Sequence, residues 1–314
     1  MAEPRGSIKK IGIALTIYRP DPLVFAEQLE SIEAQDFPDW CCVATSDSEL
    51  AELRAHPRLA RFFSDPQFEF LENTTRLGHK ANFDRAIQLL ARQPDVDAIA
   101  CSDQDDIWRP SKLSVLAREL EQSPRLSLVH SDMILFSGSP PGEAADSSRQ
   151  TLWGAERRNT RNSGLDHMLL RTIVNGAAMM FDAELARRFG PIPESVGYHD
   201  QWYSALAAGL GGVYAVPQPL VCYRQHGNNV VGASTFNGRW ALPSGGRVRG
   251  ISHLIRHFRS RWHETATVAQ ALSERGVDAR APGILKLLTF VVRYWWSDPV
   301  LARAAAGRLI GMIL

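Results

Sequence analysis

The chain has 314 residues, 45% hydrophobic and 22% charged, with a net charge of +1. These values exclude a disordered, collagenous or disulfide-stapled chain and leave no global electrostatic footprint for nucleic acid. A length of this order suits one large domain with an appendage. The charge is polarised: residues 1–200 hold 22 Lys+Arg against 30 Asp+Glu, and residues 201–314 hold 13 against 4. Seven arginines and no carboxylate lie between Asp200 and Glu264, which predicts an anionic partner near the second part or a solvated basic surface.

In chain order, Ile11–Ile17 reads as a strand buried on both faces, and Pro22–Gln35 as an amphipathic helix carrying Phe25, Leu29 and Ile32. Strands are predicted at Trp40–Thr45, Phe68–Leu71, Ala98–Cys101 and Leu126–His130, and helices at Glu49–Phe63, Ala81–Arg92 and Ser111–Gln122. This alternation predicts a doubly wound, mostly parallel, Rossmann-like α/β sheet with ligands beyond the carboxyl ends of its strands. Residues 137–162 read as a long loop, Asn175–Phe181 as a strand, Asp200–Ala208 as a helix, and Gly212–Val216 and Leu220–Tyr223 as strands. Residues 233–250 read as a Gly/Arg-rich linker and 251–314 as a helical extension. Cys41, Cys42, Cys101 and Cys222 fall in apolar strand-like runs without CxxC spacing, so they are expected to be reduced, as in cytoplasm. No stretch has the length of a signal peptide core or a membrane span.

Three stretches carry chemistry. Cys101-Ser-Asp-Gln-Asp-Asp-Ile-Trp-Arg-Pro-Ser-Lys112 places Asp103, Asp105 and Asp106 at the end of a buried strand. Two carboxylates ~4 Å apart at an effective dielectric of ~20 repel by about 4 kcal/mol, a cost a hard cation removes. Asp-x-Asp therefore reads as a clamp for Mg²⁺ or Mn²⁺ and a diphosphate, against a solvated turn with one Asp as a helix cap. Tyr198-His-Asp-Gln-Trp202 sets Asp200 where a partly desolvated general base is wanted, or where a helix N-cap is. Cys222-Tyr-Arg-Gln-His-Gly-Asn-Asn229 follows a strand; Arg224 suits a phosphate and His226 a metal, or both form a basic strand end.

These blocks, with Ile-Ala-Leu-Thr-Ile-Tyr-Arg-Pro (13–20), Gln-Leu-Glu-Ser-Ile-Glu-Ala-Gln (28–35), Ala-Thr-Ser-Asp (44–47), Leu-Gly-His-Lys-Ala-Asn-Phe (77–83) and Asn-Gly-Ala-Ala-Met (175–179), resemble the family 2 glycosyltransferases of the GT-A fold. The branch of bacterial rhamnosyltransferases is the most similar, and the match covers about residues 8–232. The resemblance implies a GT-A catalytic domain over 1–232, its nucleotide-binding part at about 8–135 and its acceptor part at about 136–232. It implies an inverting, metal-dependent transfer of sugar from a nucleotide diphosphate, dTDP-rhamnose among the expected donors, to a glycan or lipid-linked acceptor of a surface polysaccharide.

By residue, the resemblance implies that Tyr18 and Asp47 hold the base and ribose, with Asn82 near the nucleotide. Asp103 meets ribose or metal, Asp105 is the main metal ligand, and His226 assists. Asn175 and Gly176 line the donor sugar, Arg224 the phosphates, and Trp202 the acceptor, while Asp200 is the base. The second strand ends in Ser-Asp-Ser where paired aspartates are usual, so Asp47 acts there as one carboxylate. A sugar nucleotidyltransferase would need a Gly-rich phosphate loop, which residues 11–20 lack, and a non-catalytic binding module would have lost Asp105 or Asp200. The helices of 251–314, with Trp262, Trp295 and Trp296, are expected to rest on an anionic membrane, on the catalytic domain or on a second copy in a homodimer.

Overall fold

The computed structural model describes residues 6–138, 150–161, 163–225, 250–295 and 298–313. Among the described residues eight strands form one sheet: β1 (Ile11–Ile17), β2 (Trp40–Ser46), β3 (Phe68–Glu72), β4 (Ala98–Ser102), β5 (Ile107–Trp108), β6 (Leu128–Phe136), β7 (Met179–Asp182) and β8 (Val213–Arg224). Their spatial order is β3-β2-β1-β4-β7-β6-β8-β5. The first four strands are mutually parallel, as the unbroken burial of β1 and β4 requires. β7 then enters antiparallel between β4 and β6, and β5 runs antiparallel to β8, so the sheet is mixed and mostly parallel.

Helices cover both faces: α1 (Pro22–Glu33), α2 (Ala51–Ala55), α3 (His79–Ala91) and α4 (Lys112–Gln122) from the first half, α5 (Leu152–Glu156), α6 (Leu165–Leu170), α7 (Ala183–Phe189) and α8 (His199–Gly209) from the second. Asp21 starts α1 by accepting hydrogen bonds from the N–H groups of Leu23 (2.9 Å) and Val24 (3.2 Å), ahead of Pro22 in the first turn. α4 buries Leu113, Leu116, Ala117 and Leu120, a single stripe at helical spacing. Two large apolar clusters flank the sheet among the described residues. One centres on α3, α7 and α8, the other on α1, α4 and the inner face of β1 and β2.

Several predicted elements change. The helix expected over 49–63 stops at Ala55, because Pro57 has no N–H to continue it, and the chain resumes as a 3₁₀ turn at Phe62–Ser64. The strand expected at Leu126–His130 starts at Leu128 and runs on to Phe136, and it pairs with β7 and β8 and not with β4. The two strands expected at 212–223 are one. Pro217 and Pro219 fall where its register with β6 slips, which a strand backed only by the two-residue β5 tolerates. Residues 176–178 form a 3₁₀ turn before β7. Within the expected loop 137–162, α5 is helical; residues 139–149 and 162 lie outside the described residues, as does the linker 233–250 apart from Gly250.

The C-terminal chain forms α9 (Gly250–Glu274), α10 (Ile284–Tyr294) and α11 (Pro299–Ile313). The second half of α9 joins the apolar cluster around α3, α7 and α8 through Val268, Ala269, Ala271 and Leu272. Thr265 Oγ1 donates to the Leu169 carbonyl (3.1 Å), and Arg275 donates to the carbonyls of Phe189 and Pro191 (3.2 Å each). α10 and α11 form a hairpin around Leu287, Phe290, Leu301 and Ala305.

Candidate active site

The carboxyl ends of β1, β2 and β4 face the start of α8 across a cleft of about 710 Å³. Tyr18, Asp47, Asn82, Asp103, Asp105, Asn175, Gly176, Asp200 and Arg224 all line it, so residues more than 200 positions apart in the chain meet there.

On the β1/β2 bank the geometry is set by hydrogen bonds within the chain. Gln104 clasps the Tyr18 backbone, accepting from its N–H (2.7 Å) and donating to its carbonyl (3.1 Å). The exposed Tyr18 ring carries the Arg76 guanidinium 4.3 Å from its centroid, with Arg19 at 5.5 Å, a cationic and aromatic platform. Asp47 Oδ2 accepts from the Gly78 N–H (2.7 Å), and its Oδ1 accepts from the Leu77 N–H (2.9 Å) and Asn73 Nδ2 (2.7 Å). Gly78 has φ +83°, a conformation that only glycine adopts without strain, and this aims its N–H at Asp47 as α3 begins. Asn82 is buried and bonded inward: its Nδ2 donates to the Thr45 carbonyl (3.1 Å) and its Oδ1 accepts from Asn73 (2.8 Å).

The acidic tip divides its three carboxylates. Asp103 and Asp105 face the cleft, half-buried, whereas Asp106 is fully buried. His79 Nε2 lies 3.8 Å from Asp103 Oδ1. Burial opposes both charges, yet the contact outweighs it: the Asp103 carboxyl is held below its ordinary value and the His79 imidazole above its own. Asp106 Oδ1 accepts from the Arg224 N–H (3.2 Å), and its Oδ2 has no partner among the described residues. Burial, then Asp103 and Asp105, push the Asp106 carboxyl well up. Beneath the tip Lys112 is also fully buried. Its Nζ donates to the Ala177 carbonyl (2.7 Å) and sits 3.2 Å from the Trp108 ring centroid. Burial pushes the Lys112 ammonium well down, with Asp106 the leading opposing influence.

Opposite, the first turn of α8 carries His199 and Asp200. Asp200 Oδ1 accepts from the Gln201 N–H (2.7 Å). Burial raises its carboxyl above the ordinary value, against that hydrogen bond and the positive charges of His79 and Arg158. A half-buried carboxylate of raised basicity, open to a cleft, can take a proton from a hydroxyl. His199 stacks on Phe83, ring centroids 3.8 Å apart, and neither ring nitrogen has a partner among the described residues. Burial depresses its pKa to about 3, so the ring is neutral. A Cβ on Gly176 would strike the His199 imidazole, which is why glycine follows Asn175 there. Asn175 Oδ1 accepts from the Ala177 N–H (3.0 Å) and fixes the turn.

One expectation needs correction, and two others gain a structural role in the cleft wall. Trp202 is fully buried behind α8, with the Arg275 guanidinium 5.0 Å from its ring centroid, and has no surface for an acceptor. Two positions along a helix turn a side chain by about 200°, so Trp202 leaves the cleft that Asp200 faces. Arg224 points inward: its Nη2 donates to Glu27 (2.6 Å), its Nε to the Asp105 carbonyl (3.0 Å) and its Nη1 to the Gly138 carbonyl (3.1 Å). These contacts brace the acidic tip, while Arg224 remains part of the cleft lining. Asn82 orders the bank and spends both ends of its amide on the protein. His226 lies outside the described residues. His79, Gln104, Arg76 and Lys112 carry parts of the site that the motifs did not single out for these roles. His79, Gln104 and Lys112 lie inside the blocks that carry the family resemblance, which was their sequence signal.

Asp103 and Asp105 offer oxygen donors of the kind Mg²⁺ or Mn²⁺ takes when it keeps water and phosphate oxygens in its other positions. No group of three or more His, Cys, Asp or Glu side chains among the described residues forms a closed cage. An open, two-carboxylate site for a hard ion shared with a diphosphate fits this arrangement.

The chain spans about an eighth of one curated relative, an uncharacterized protein, y4gI, of Sinorhizobium fredii: the two are 26% identical over 125 residues, 39% of this chain and 13% of that one. Among solved structures it is similar in fold to S. aureus TarS 1–349 in complex with UDP-GlcNAc (TM-score 0.51, 13% identity, 96% of this chain and 89% of that one). The same protein in complex with UDP gives a TM-score of 0.54 at 13% identity, over 96% and 90% of the two chains. The family model described as glycosyl transferase family 2 matches residues 17–182, more than half of the sequence. With the mixed, mostly parallel sheet and the cleft at its carboxyl edge already in view, the chain belongs to glycosyl transferase family 2.

Proposed function

We propose that the protein transfers a sugar from a nucleoside diphosphate donor to a hydroxyl group of a glycan or lipid-linked acceptor, with inversion at the anomeric carbon, during assembly of a bacterial surface polysaccharide. The observation that carries this reading is the placement of Asp103 and Asp105 on one bank of a single cleft and Asp200 on the other. Support also comes from TarS, whose similar fold is seen with UDP-GlcNAc and with UDP.

The Tyr18 ring under Arg76 suits the face of a nucleobase, and the rigid loop that Asp47 ties at residues 77–78 suits the adjoining ribose. Asp103 and Asp105 would hold Mg²⁺ or Mn²⁺, with His226 as the third candidate. The ion, when bound, supplies charge stabilisation for the departing diphosphate. Asn175 and Gly176 form the floor between the banks, where the sugar would lie. As the acceptor oxygen bonds to the anomeric carbon and the bond to the diphosphate oxygen breaks, Asp200 takes the acceptor proton. Its basicity, raised by burial, suits it to that transfer. The passing oxocarbenium character is that of glycoside hydrolysis. The likeness of the Asp-Gln-Asp-Asp-Ile-Trp block makes dTDP-rhamnose the first donor to try.

A thermal-shift panel of nucleotide sugars, each with and without Mn²⁺, tests this, since a ligand that binds only the folded chain raises its melting temperature. One donor raising it only with the metal is the expected result. A panel in which nothing raises it, at millimolar concentrations of each, would overturn the reading.

A further inference from the structure

We propose that α10 docks the enzyme on an anionic lipid bilayer, its exposed apolar face entering the headgroup region. Leu285 and Val292 are 81% and 77% exposed, and Ile284, Leu288 and Trp295 are exposed beside them. At about 100° per residue these five side chains fall within one arc of about 100°, away from Leu287 and Phe290, which seal α10 against α11. Exposed apolar side chains aligned in this way are uncommon on a surface that meets only water. Lys286 and Arg293 follow on the adjoining arc, and no Asp or Glu stands between Asp278 and Asp298. Lys286 reaches Asp166 (2.5 Å), so Arg293 and Arg280 carry most of the uncompensated charge.

An apolar stripe flanked by cations and free of carboxylates in its own segment is the pattern of a helix lying in the plane of an anionic interface. A second copy of the chain fits it less well. Pairing about a two-fold axis sets a patch against itself, and here the basic arcs would meet with Asp166, already paired to Lys286, as the nearby acid. No helix among the described residues is long and apolar enough to cross a membrane, so the contact would be peripheral. The anchor differs from the tryptophan set expected from the sequence. Trp262 packs partly buried against the α10–α11 hairpin, Trp296 lies outside the described residues, and Trp295 alone joins the stripe.

Co-sedimentation of the full chain with vesicles of phosphatidylcholine alone, or with a third phosphatidylglycerol, tests the proposal. Binding is expected to the anionic vesicles only, weakened by salt, and at least tenfold weaker for Leu285→Glu/Val292→Glu. Lys286→Gln/Arg293→Gln, which leaves the apolar stripe intact, is expected to bind severalfold more weakly and guards against a fold defect in the first variant. Light scattering on the same samples should give a monomer mass throughout. No sedimentation of the wild type with anionic vesicles would overturn the proposal. So would a wild-type dimer that Leu285→Glu/Val292→Glu converts to monomer.

Discussion

On the β1/β2 bank of the cleft, Asp47 and Asn82 have their side-chain oxygens engaged by the chain itself, and Gln104 holds both backbone groups of Tyr18. On the opposite side and beneath the tip, His199 and one oxygen of Asp106 are buried without hydrogen-bond partners among the described residues, and the Asp200, Asp106, Lys112 and His199 ionisations are all displaced. On the first bank Asp47, Asn82 and the Tyr18 backbone are held by hydrogen bonds within the chain. The second stores electrostatic cost, as expected where a proton is exchanged and charge develops. Substitutions on the first should therefore perturb donor binding and order, and those on the second should perturb rate and pH response.

The widest separation is expected from Asp200→Asn. Loss of a general base lowers turnover by about 10²–10⁴-fold, while donor affinity by calorimetry stays within about twofold. Because burial raises this carboxyl in the folded chain, its charged form weighs against folding at neutral pH, and the melting temperature of the variant should stay level or rise. The acid limb of the wild-type rate profile should lie above the ordinary carboxylate range, since activity falls as pH drops through the raised value.

Lys112→Met comes next. It leaves the buried Ala177 carbonyl without its donor and Asp106 without its cationic neighbour, a loss of about 1–3 kcal/mol, measured as the shift in urea unfolding. Lys112→Met/Asp106→Asn should recover much of that loss, because the amide keeps an acceptor for the Arg224 N–H without a buried charge. Simple additivity of the two single losses would show that the pair is not coupled.

Asp47→Ala removes an acceptor that serves Leu77, Gly78 and Asn73, and each hydrogen bond to a charged group is worth about 1.5–3 kcal/mol. The expected signature is a higher KM for donor with turnover less affected, the reverse of Asp200→Asn. The smallest effect concerns acid stability. His130 and His199, with pKa values of about 3, stay neutral when folded and titrate at their ordinary value when unfolded. Below about pH 6.5 the unfolded chain binds more protons, so each costs stability of about 1.4 kcal/mol per pH unit as pH falls. His130→Leu should flatten that slope between pH 6 and 4.5 without changing the rate profile.

β1 and β4 were legible because a strand buried on both faces reads as a nearly continuous apolar run, as Ile11–Ile17 and Ala98–Ser102 do. The antiparallel entry of β7 was not, because Ala98↔Asp182 pairing joins segments more than 80 residues apart and leaves no local mark. In the same way Asp103, Asp105, Asp200 and Tyr18 could be placed at the cleft from motif and strand-end position. The bracing contacts of Arg224 were not legible, because its partner, Glu27, lies on α1 nearly 200 positions away. Trp202 was misjudged on helical geometry alone, and His79 escaped notice because its meaning comes only from its contact with Asp103.

The most direct test is calorimetric titration of a nucleoside diphosphate into wild type and Asp105→Asn, each with Mn²⁺ and with EDTA. The account predicts binding by the wild type with metal and at least a tenfold loss on either removing the metal or replacing Asp105. Equal affinity in all four titrations would contradict it.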